Sequence, residues 1–441
     1  MNGLLDNIVQ NRFAGYMYSY PHKTAYRNFA RPLDLKELWR TSTSKPLTLY
    51  LHIPFCLNKC GYCNLLSTTS FGKPQISRYV GKMLEEMAAV RVFLELDQRK
   101  DRIFSSVIVG GGTPTILSDE DLKKLLAGIA GILDINFSKT FFSIETSPRT
   151  LTKSKLELLK AYHVDRISMG VQSFNSRELD QSFRRESVSE IETALALLFE
   201  QQIPIRNLDL IYGIPTQTKD SWKNSLEKAI TYAPDELYLY PLYVREKTKM
   251  FDRSQCDIRL MGELYELGKE VLAEHNYLQT SMRNFIHRRQ TAGLFPEYSC
   301  QENEMIGIGC GARSYCGRVH YSRSYAVDEA NINAIINEYL AETNFTAARY
   351  GYRLTDDELK RRYIIKSILK ITGLDSAEYY ARFQTQPADD FSELAFLVEH
   401  GFLEQRNKCL YPTAKGIRYS DAIGQLFVSK EVSAKMAAYQ E

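Results

Sequence analysis

The stretch LYLHIPFCLNKCGYCNLLS, residues 49–67, carries three cysteines on a loop that directly follows an apolar strand. Cys56, Cys60 and Cys63 have the spacing C-x3-C-x2-C, in a chain with only 8 cysteines among 441 residues. Reduced, buried thiols are the plain alternative, but a loop with Gly61 and two polar residues is a poor place to bury sulfur. The spacing therefore predicts an iron–sulfur site.

The number of neighbouring thiols limits the kind of site. No fourth cysteine follows until Cys256, whereas a structural zinc ion or a closed cluster takes four ligands. One iron would stay open and could bind a small molecule. This local signature resembles that of the radical S-adenosylmethionine (SAM) enzymes. The resemblance implies a [4Fe–4S] cluster whose open iron chelates the amino and carboxylate groups of SAM, so that one electron cleaves the sulfonium to a 5′-deoxyadenosyl radical.

The composition narrows the class of protein. The 56 basic and 53 acidic residues give a net charge of +3 without any Lys/Arg-rich block, which argues against a nucleic-acid binder. No apolar run approaches the ~18 residues of a membrane span, and the N-terminus MNGLLDNIVQNRF lacks the apolar segment of a signal peptide. We therefore expect a cytoplasmic monomer with no nucleic-acid and no membrane partner.

Apolar, β-branched runs alternate with longer amphipathic segments from about residue 46 to residue 275, which predicts parallel strands with helices outside. Six such units predict an α/β fold with a partial, open (β/α)6 radical SAM barrel. The cysteine loop then lies at the carboxyl end of the first strand, where such sheets have their active sites. The predicted strands are Thr48–Ile53, Ser106–Val109, Thr140–Ile144, Asp165–Met169, Ile205–Ile211 and Glu236–Tyr240, and the predicted helices are Gln75–Leu96, Asp119–Leu133, Thr152–Tyr162, Val188–Gln201, Lys219–Tyr232 and Arg259–His275.

Three regions are expected along the chain: an N-terminal arm over 1–45, a core over 46–340 and a C-terminal domain over 341–441. The arm, which contains YMYSYPHKTAYRNFARPLDL, could be a strap packed on the barrel or a lid that touches substrate. The C-terminal region predicts helices, a two-stranded turn and a last helix after Thr413, in a helical, winged-helix pattern. Because it lacks a basic face, we expect a substrate cover or docking domain there.

Polar residues follow or end several of the predicted strands. The glycine-rich run GGGTPT, residues 110–115, lets the backbone approach a ligand. Glu145, Gln172 and Asp209 lie at the ends of the next three strands, on the same rim as the cysteine loop. Any one of them could be a structural residue, but together they can converge on one small molecule.

These strings together resemble the HemN-like radical SAM proteins, the family of oxygen-independent coproporphyrinogen III oxidase, from about Tyr20 to Phe427. The matching strings include YLHIPFC, GGGTPT, SMGVQSFN, DLIYGIP, GIGCGARSY at Gly307–Tyr315 and TAKGIRYSDAI. The resemblance implies that the three cysteines bind the cluster and that Tyr50 lies beside it. It further implies that the first SAM is held by Gly111, Gly112, Thr113, Glu145, Gln172, Arg184 and Asp209.

Members of this family can also hold a second SAM. The residues carried over for that site are Tyr62, Gly112, Thr113, Ile211, Tyr240 and Leu242. Aromatic and aliphatic side chains suit an adenosine group, although a buried Tyr240 is also ordinary barrel packing.

The family contains several functional kinds. Porphyrinogen oxidases have a further cysteine just after the triplet, whereas Asn64, Leu65 and Leu66 follow Cys63 here. The haem-chaperone branch has an H-N-x-x-Y-W string, whereas this chain has PEYSCQENEMIGIG. The YPHKTAYR and YPLYVRE segments look closest to the class C radical SAM methyltransferases and cyclopropanases. We therefore expect a methyltransferase, with an oxidase-like dehydrogenase/decarboxylase or a non-catalytic haem-chaperone-like protein as the alternatives.

The resemblance implies a mechanism with two SAM molecules, in which a methylene radical from the second adds to an sp2 carbon of a small-molecule substrate. A reductant such as flavodoxin or ferredoxin would supply the electron. Candidate substrate or base residues are Tyr50, Tyr20, His22, Lys23, Tyr243, Arg245, Arg283 and Glu302, each of which could instead be structural or solvated. Three later cysteines have no common ligand spacing and are expected to be structural, namely Cys300, Cys310 and Cys316.

Overall fold

The computed structural model describes residues 2–13, 15–17, 19–42, 46–251, 257–289 and 304–440. The chain divides into two compact units. The barrel unit comprises Arg27–Asn276 and His287–Tyr352, and the terminal unit comprises residues 2–26, Tyr277–Ile286 and Arg353–Gln440.

The strands are, in chain order, β1 Arg27–Asp34, β2 Leu47–Ile53, β3 Phe104–Gly111, β4 Phe141–Thr146, β5 Arg166–Gln172, β6 Ile205–Tyr212, β7 Glu236–Pro241, β8 Tyr277–Gln279, β9 Asn284–His287, β10 Glu304–Ile308, β11 Arg313–Cys316, β12 Val319–Ser322, β13 Ala347–Arg353, β14 Leu374–Asp375, β15 Leu403–Arg406 and β16 Cys409–Pro412.

The α-helices are, in chain order, α1 Asn2–Gln10, α2 Leu35–Arg40, α3 Lys73–Phe93, α4 Asp119–Leu133, α5 Lys153–Ala161, α6 Ser176–Gln181, α7 Val188–Phe199, α8 Lys219–Thr231, α9 Ile258–Glu274, α10 Glu329–Ala341, α11 Asp356–Ile368, α12 Ser376–Phe383, α13 Pro387–Asp390, α14 Glu393–Glu399, α15 Ala414–Arg418, α16 Ser420–Leu426 and α17 Lys430–Ala437. Short 3-10 turns span Lys23–Ala25, Pro114–Ile116 and Pro148–Thr150.

Six parallel strands, β2 to β7, lie side by side in chain order, and helices run between them. The helices begin where the sequence has capping side chains. The Ser118, Thr152 and Thr218 hydroxyls each accept a hydrogen bond from the backbone N–H three residues ahead. The predicted partial (β/α)6 barrel is thereby confirmed, with strand and helix ends within a few residues of the predicted ones.

The sheet continues beyond β2. Strand β10 pairs with β2 in parallel, and β11 and β12 follow as antiparallel neighbours. Strand β1 pairs with β13 in antiparallel register, with Arg27 opposite Gly351. Residues from Arg27 onward therefore belong to the barrel unit, although the arm was expected to extend to residue 45. The pairing joins segments more than 300 residues apart, so local sequence could not indicate it.

The terminal unit combines helices with a small sheet. Strands β14, β16 and β15 form an antiparallel sheet in that order, and α11, α12, α13 and α14 precede the β15–β16 hairpin. This order of elements agrees with the helical, winged-helix prediction. The start of the expected arm, residues 2–26, belongs to the same unit.

Two buried polar pairs hold the terminal unit together. The Tyr20 hydroxyl donates to the Glu358 carboxylate, whose other oxygen accepts from the Ser429 hydroxyl at 2.6 Å. Arg283 donates to both carboxylate oxygens of Asp421 at 2.5 and 2.7 Å. Both pairs are almost completely buried.

Among the helices of the described residues, none is long and apolar enough to span a lipid bilayer.

Candidate active site

The cysteine loop begins where β2 ends, and backbone hydrogen bonds close it at its base. The N–H of Cys56 donates to the Thr68 carbonyl at 3.0 Å, and the N–H of Thr68 donates to the Pro54 carbonyl at 2.8 Å. Further along the loop, the N–H of Gly61 donates to the Ser182 carbonyl at 2.9 Å. The loop is therefore tied both to itself and to the segment after β5.

Each predicted ligand thiol has a polar neighbour. The Thr113 hydroxyl donates to Cys56 Sγ at 3.6 Å, Arg184 Nη1 donates to Cys60 Sγ at 3.7 Å, and Ser67 Oγ lies 3.7 Å from Cys63 Sγ. Such donors favour the thiolate form. No group of three or more Cys, His, Asp or Glu side chains within the described ranges is arranged to hold a single metal ion.

Two of the three thiols, Cys56 and Cys60, have raised pKa values in this arrangement. Burial raises the pKa of Cys56 to about 12, and the neighbouring Cys63 thiol adds to the rise. Burial also raises the pKa of Cys60, against the charge of Arg184. Since metal ligands must be thiolates, loading of the site has to release protons.

His52 joins the end of β2 to the cysteine loop, although sequence analysis assigned it no role. Its Nε2 lies 2.8 Å from the Leu66 carbonyl oxygen, and the Tyr50 hydroxyl lies 3.3 Å from its Nδ1. A Cβ added to Gly111 or to Gly311 would collide with the imidazole ring. The glycines of GGGTPT and GIGCGARSY therefore leave room for one histidine, which is a packing signal visible only once the strands are assembled.

The glycine-rich run lies against the start of the cysteine loop. The N–H of Gly112 donates to the Ile53 carbonyl and the N–H of Thr113 donates to the Phe55 carbonyl, both at 2.8 Å. A Cβ on Gly112 would meet the Phe55 carbonyl oxygen at 2.7 Å and Cys56 Sγ at 2.9 Å. The close approach of these backbones explains the need for glycine here.

Glu145 lies in β4, one residue before the strand ends. Its side chain is exposed while its neighbours in β4 are buried, and one carboxylate oxygen accepts a hydrogen bond from the Gly111 N–H at 3.1 Å. The surrounding protein groups nevertheless desolvate the carboxyl group, which raises the pKa of Glu145 to about 7, and the nearby Asp209 carboxylate adds to the rise. Two adjacent carboxylates in such a place favour a bound cation.

Asp209 is held by polar residues that sequence analysis did not identify. Asn207 Nδ2 donates to Asp209 Oδ1 at 2.8 Å, and the Ser168 hydroxyl donates to Oδ2 at 3.3 Å. Burial still raises the pKa of Asp209, although these bonds and the charge of Arg166 oppose the rise. The available signal was the presence of polar residues in otherwise apolar strands, as in RISMGVQ and NLDLIY.

Gln172 and Arg184 carry polar atoms that no described residue satisfies. The Oε1 of Gln172 and the Nε of Arg184 are buried without a hydrogen-bond partner. The Gln172 backbone has φ of 72°, an uncommon left-handed conformation for a residue with a side chain. Arg184 is fixed because its Nη2 donates to the Gly170 carbonyl at 2.8 Å and to Glu186 at 3.1 Å. Buried polar atoms of this kind fit a polar ligand.

Four of the residues that the family resemblance assigns to a second SAM lie close together. Ile211 and Leu242 belong to one buried apolar cluster, and Tyr62 and Tyr240 pack against it. The Tyr62 hydroxyl lies within hydrogen-bonding reach of the Cys60 thiol, and burial raises its pKa well above the ordinary value. The four side chains form one apolar wall beside the cysteine loop.

The candidate substrate and base residues are divided between the two units. Tyr243, half-buried, and Arg245, exposed, follow β7 in the barrel unit. His22 lies in the terminal unit, where its Nδ1 is 2.9 Å from the Thr24 hydroxyl at the start of a 3-10 turn. Tyr20 and Arg283 make the buried contacts of the terminal unit given above, so both have structural roles. Lys23, in the same 3-10 turn, is half-buried, and Glu302 lies outside the described residues.

The residues present fit both expected groups. The three thiols share one loop, and each has a polar neighbour. Glu145 and Asp209 on one side and Arg184 on the other offer opposite charges to a molecule with both charges such as SAM, and Gln172 adds an acceptor oxygen. Of the later cysteines, Cys310 and Cys316 are buried, with burial raising the pKa of each to about 12, and Cys300 lies outside the described residues.

Comparison with known proteins gives the same assignment. Residues 50–229 match the Radical SAM superfamily and residues 354–419 match the HemN C-terminal domain. The chain is 30% identical to "Heme chaperone HemW" of Lactococcus lactis over 88% of this chain and 99% of that protein. It is 27% identical to "Oxygen-independent coproporphyrinogen III oxidase" of Escherichia coli over 91% of each.

A solved structure shares the fold. The Escherichia coli coproporphyrinogen III oxidase (HemN), described as a radical SAM enzyme, superposes with a TM-score of 0.79 at 23% identity, covering 94% of this chain and 97% of that one. None of these relatives is named as a methyltransferase, so the class C assignment receives no support from them. With its cysteine loop, its strand-end residues and its near-complete alignment to these relatives, the chain belongs to the HemN-like family of radical SAM proteins.

Proposed function

We propose that this protein cleaves SAM reductively and acts on a tetrapyrrole of the haem type. The reductive cleavage of SAM is supported by one observation: the chain has the three loop cysteines together with the four polar residues Glu145, Gln172, Arg184 and Asp209. The second half is supported by the relatives, because the haem chaperones and the coproporphyrinogen oxidase with which this chain aligns over most of its length are all named for tetrapyrroles.

A [4Fe–4S] cluster with one open iron would supply the electron that breaks the sulfonium bond of SAM. Cys56, Cys60 and Cys63 would hold it, and the Arg184 guanidinium, 3.7 Å from Cys60 Sγ, would stabilise one of the thiolates. Flavodoxin or ferredoxin would serve as the reductant.

The strand ends would bind SAM through complementary charge. Glu145 would pair with the ammonium group, since its side chain is exposed near the end of β4 and a cation would lower its pKa from about 7. Gln172 would accept a hydrogen bond from a polar group of the ligand through its unsatisfied Oε1. The close backbones of Gly111 and Gly112 would let the ligand approach the cysteine loop without side-chain interference.

Methyl or methylene transfer is a second candidate, favoured by one observation in the barrel unit. Tyr62, Ile211, Tyr240 and Leu242 form a continuous apolar wall, which would suit the adenosine of a second SAM. Asn64, Leu65 and Leu66 follow Cys63, in the region where porphyrinogen oxidases have a further cysteine, and this difference disfavours an oxidase-like reaction.

The test is product analysis after anaerobic reconstitution and reduction. The protein is incubated with SAM alone, with SAM and coproporphyrinogen III, or with SAM and haem, and 5′-deoxyadenosine, S-adenosylhomocysteine and the tetrapyrroles are quantified. Cys63→Ala is the control that lacks one cluster ligand. We expect 5′-deoxyadenosine to form faster with one of the tetrapyrroles and not at all with the control.

The products separate the finer alternatives. Equal amounts of 5′-deoxyadenosine and S-adenosylhomocysteine would indicate methyl or methylene transfer, whereas 5′-deoxyadenosine with a decarboxylated porphyrinogen would indicate the oxidase-like reaction. Tight binding of haem without turnover would indicate a chaperone-like protein and would contradict the enzymatic half of the proposal. No effect of either tetrapyrrole on SAM cleavage, together with no binding of either, would contradict the tetrapyrrole half.

A further inference from the structure

A polar cavity lies within the barrel unit, lined by none of the residues assigned to the cluster or to SAM. Its volume is about 400 Å³, within the range of small-molecule sites. Its walls come from α3, the strands β10 to β12, the end of α10 and β13. The lining is charged and polar, with both signs of charge present, which is unlike a packing defect in an apolar core.

Glu86 forms the acidic side of this cavity. Its Oε2 accepts hydrogen bonds from the Gly309 N–H at 2.8 Å and from the Tyr339 hydroxyl at 2.7 Å, so the carboxyl group is fixed in position. Within the described ranges, no hydrogen bond reaches its second oxygen, Oε1, and the residue is half-buried where it lines the cavity. Burial raises the pKa of Glu86, and the charge of Arg323 opposes that rise. The carboxyl group therefore has an acceptor available for a cationic donor.

Arg323 and Arg349 form the basic side. Each guanidinium lies 3.4 Å from the same oxygen of Glu342, longer than the 2.7–2.9 Å of a strong ionic hydrogen bond. The other oxygen of Glu342 accepts two backbone N–H groups at 3.0 Å. One carboxylate oxygen therefore makes a single long contact with each of the two guanidinium groups. Most N–H groups of the two arginines remain able to donate to another acceptor.

The position of Arg323 is fixed by aromatic side chains. Its guanidinium carbon lies 5.0 Å from the centre of the Tyr339 ring and 5.5 Å from that of the Phe345 ring. Because Tyr339 also binds Glu86, the acidic and the basic side of the cavity share one rigid wall.

We propose that this cavity is a binding site for a free, zwitterionic α-amino acid, with the ammonium group at Glu86 and the carboxylate at Arg323 and Arg349. A simple anion would meet the carboxylates of Glu86, Glu338 and Glu342, and a simple cation would meet the guanidinium groups of Arg323 and Arg349. A zwitterion satisfies both sides at once. The inference stands apart from the proposed function, because it concerns a different cavity and does not depend on SAM cleavage.

The experiment uses the full chain without added SAM. Each of the twenty common amino acids is added singly at about 5 mM in a thermal-shift assay, a concentration that detects a Kd near 1 mM, and hits are measured by calorimetry. Arg349→Ala and Glu86→Gln remove one side of the cavity each. Arg406→Ala removes an exposed arginine of the terminal unit and is the matched control, since Arg406, like Arg349, is largely exposed and pairs with one glutamate.

We expect at least one amino acid to bind saturably, with a Kd that rises about tenfold or more in Arg349→Ala and in Glu86→Gln and stays unchanged in Arg406→Ala. The N-acetyl and the methyl ester forms of that amino acid, each lacking one charge, should bind more weakly by a similar factor. Glu145→Gln, at the SAM site, should leave the binding unchanged.

Three results would overturn the proposal. The first is no binding by any of the twenty amino acids. The second is binding that Glu145→Gln abolishes and Arg349→Ala leaves intact, which would assign the ligand to the SAM site. The third is equal binding of the N-acetyl or methyl ester form, which would show that one of the two charges is not recognised.

Discussion

Replacing Glu145 by glutamine should stabilise the protein in the absence of SAM and weaken its binding of SAM. The carboxyl group lies near Asp209, and desolvation by the surrounding protein together with the charge of Asp209 raises its pKa from the ordinary 4.5 to about 7. An acid with a raised pKa binds more protons in the folded than in the unfolded state between these two values, so the wild-type protein loses stability as the pH rises from about 4.5 to about 7.

The size of the effect follows from the two pKa values. At about 1.36 kcal/mol per pH unit, the rise corresponds to about 3 kcal/mol above pH 7. Because the side chain is in part accessible to water, screening reduces this figure, and we expect about 1 to 2 kcal/mol. The glutamine keeps the size and the hydrogen-bonding capacity and removes the charge.

The assay is urea denaturation of the wild type, of Glu145→Gln and of Glu85→Gln at pH 5 and pH 8, without and with SAM. Glu85, on the surface of α3 beside Lys82, is the control carboxylate. We expect Glu145→Gln to gain stability over the wild type at pH 8 and to gain little at pH 5, while Glu85→Gln follows the wild type. With SAM present the order at pH 8 should reverse, because only the wild type has the carboxylate for the ammonium group.

A difference between Glu145→Gln and the wild type that does not change with pH would refute this reasoning, since it would show that the carboxyl group is not an uncompensated charge. Lower stability of Glu145→Gln at pH 8 without SAM would refute it as well. SAM stabilising the variant as much as the wild type would separate Glu145 from the SAM site.

Three further changes test other parts of the structure. Gly311→Ala should displace the His52 ring that holds the cysteine loop, so chemical analysis should find less iron in the reconstituted protein. The control is Gly317→Ala, which should keep its iron despite the strain of a positive φ, because the space around its Cβ is open. Arg283→Met should destabilise the terminal unit by about 3 to 5 kcal/mol in urea denaturation, because it leaves Asp421 buried and charged, and adding Asp421→Leu should restore most of the loss; equal losses in the single and double variants would contradict this. Iron loading of the wild type should release protons into a weakly buffered solution at pH 7, since burial keeps the Cys56 thiol protonated, and Cys56→Ala should release fewer.

The barrel was predictable because its signals are local. Each strand is a short β-branched run, and the helix Asp119–Leu133 was predicted to the residue since Ser118 caps it and the left-handed Asp134 ends it. The cysteine loop and the rim residues were predictable for the same reason, because parallel strands place their carboxyl ends on one edge. Strand ends such as Gln172 extend the predicted strands by only a few residues.

Features that depend on distant segments could not be predicted in this way. The buried pair of Arg283 and Asp421 joins residues 138 positions apart, so Arg283 was taken as a candidate substrate residue. Tyr20 was taken as a candidate for the same reason, and its partner Glu358 lies 338 positions away. The role of His52 depends on two glycines from other strands. The sequence indicated the type of chemistry. It did not indicate which polar residues make structural contacts instead of binding a ligand.

The most direct test of the account is the electron paramagnetic resonance spectrum of the reconstituted, reduced protein before and after addition of SAM. If three cysteines leave one iron open beside Glu145, Gln172 and Arg184, SAM should change the spectrum of the reduced cluster at stoichiometric concentration, and Glu145→Gln should require more SAM for the same change. An intact cluster whose spectrum is identical with and without SAM would contradict the assignment of this rim as a SAM site.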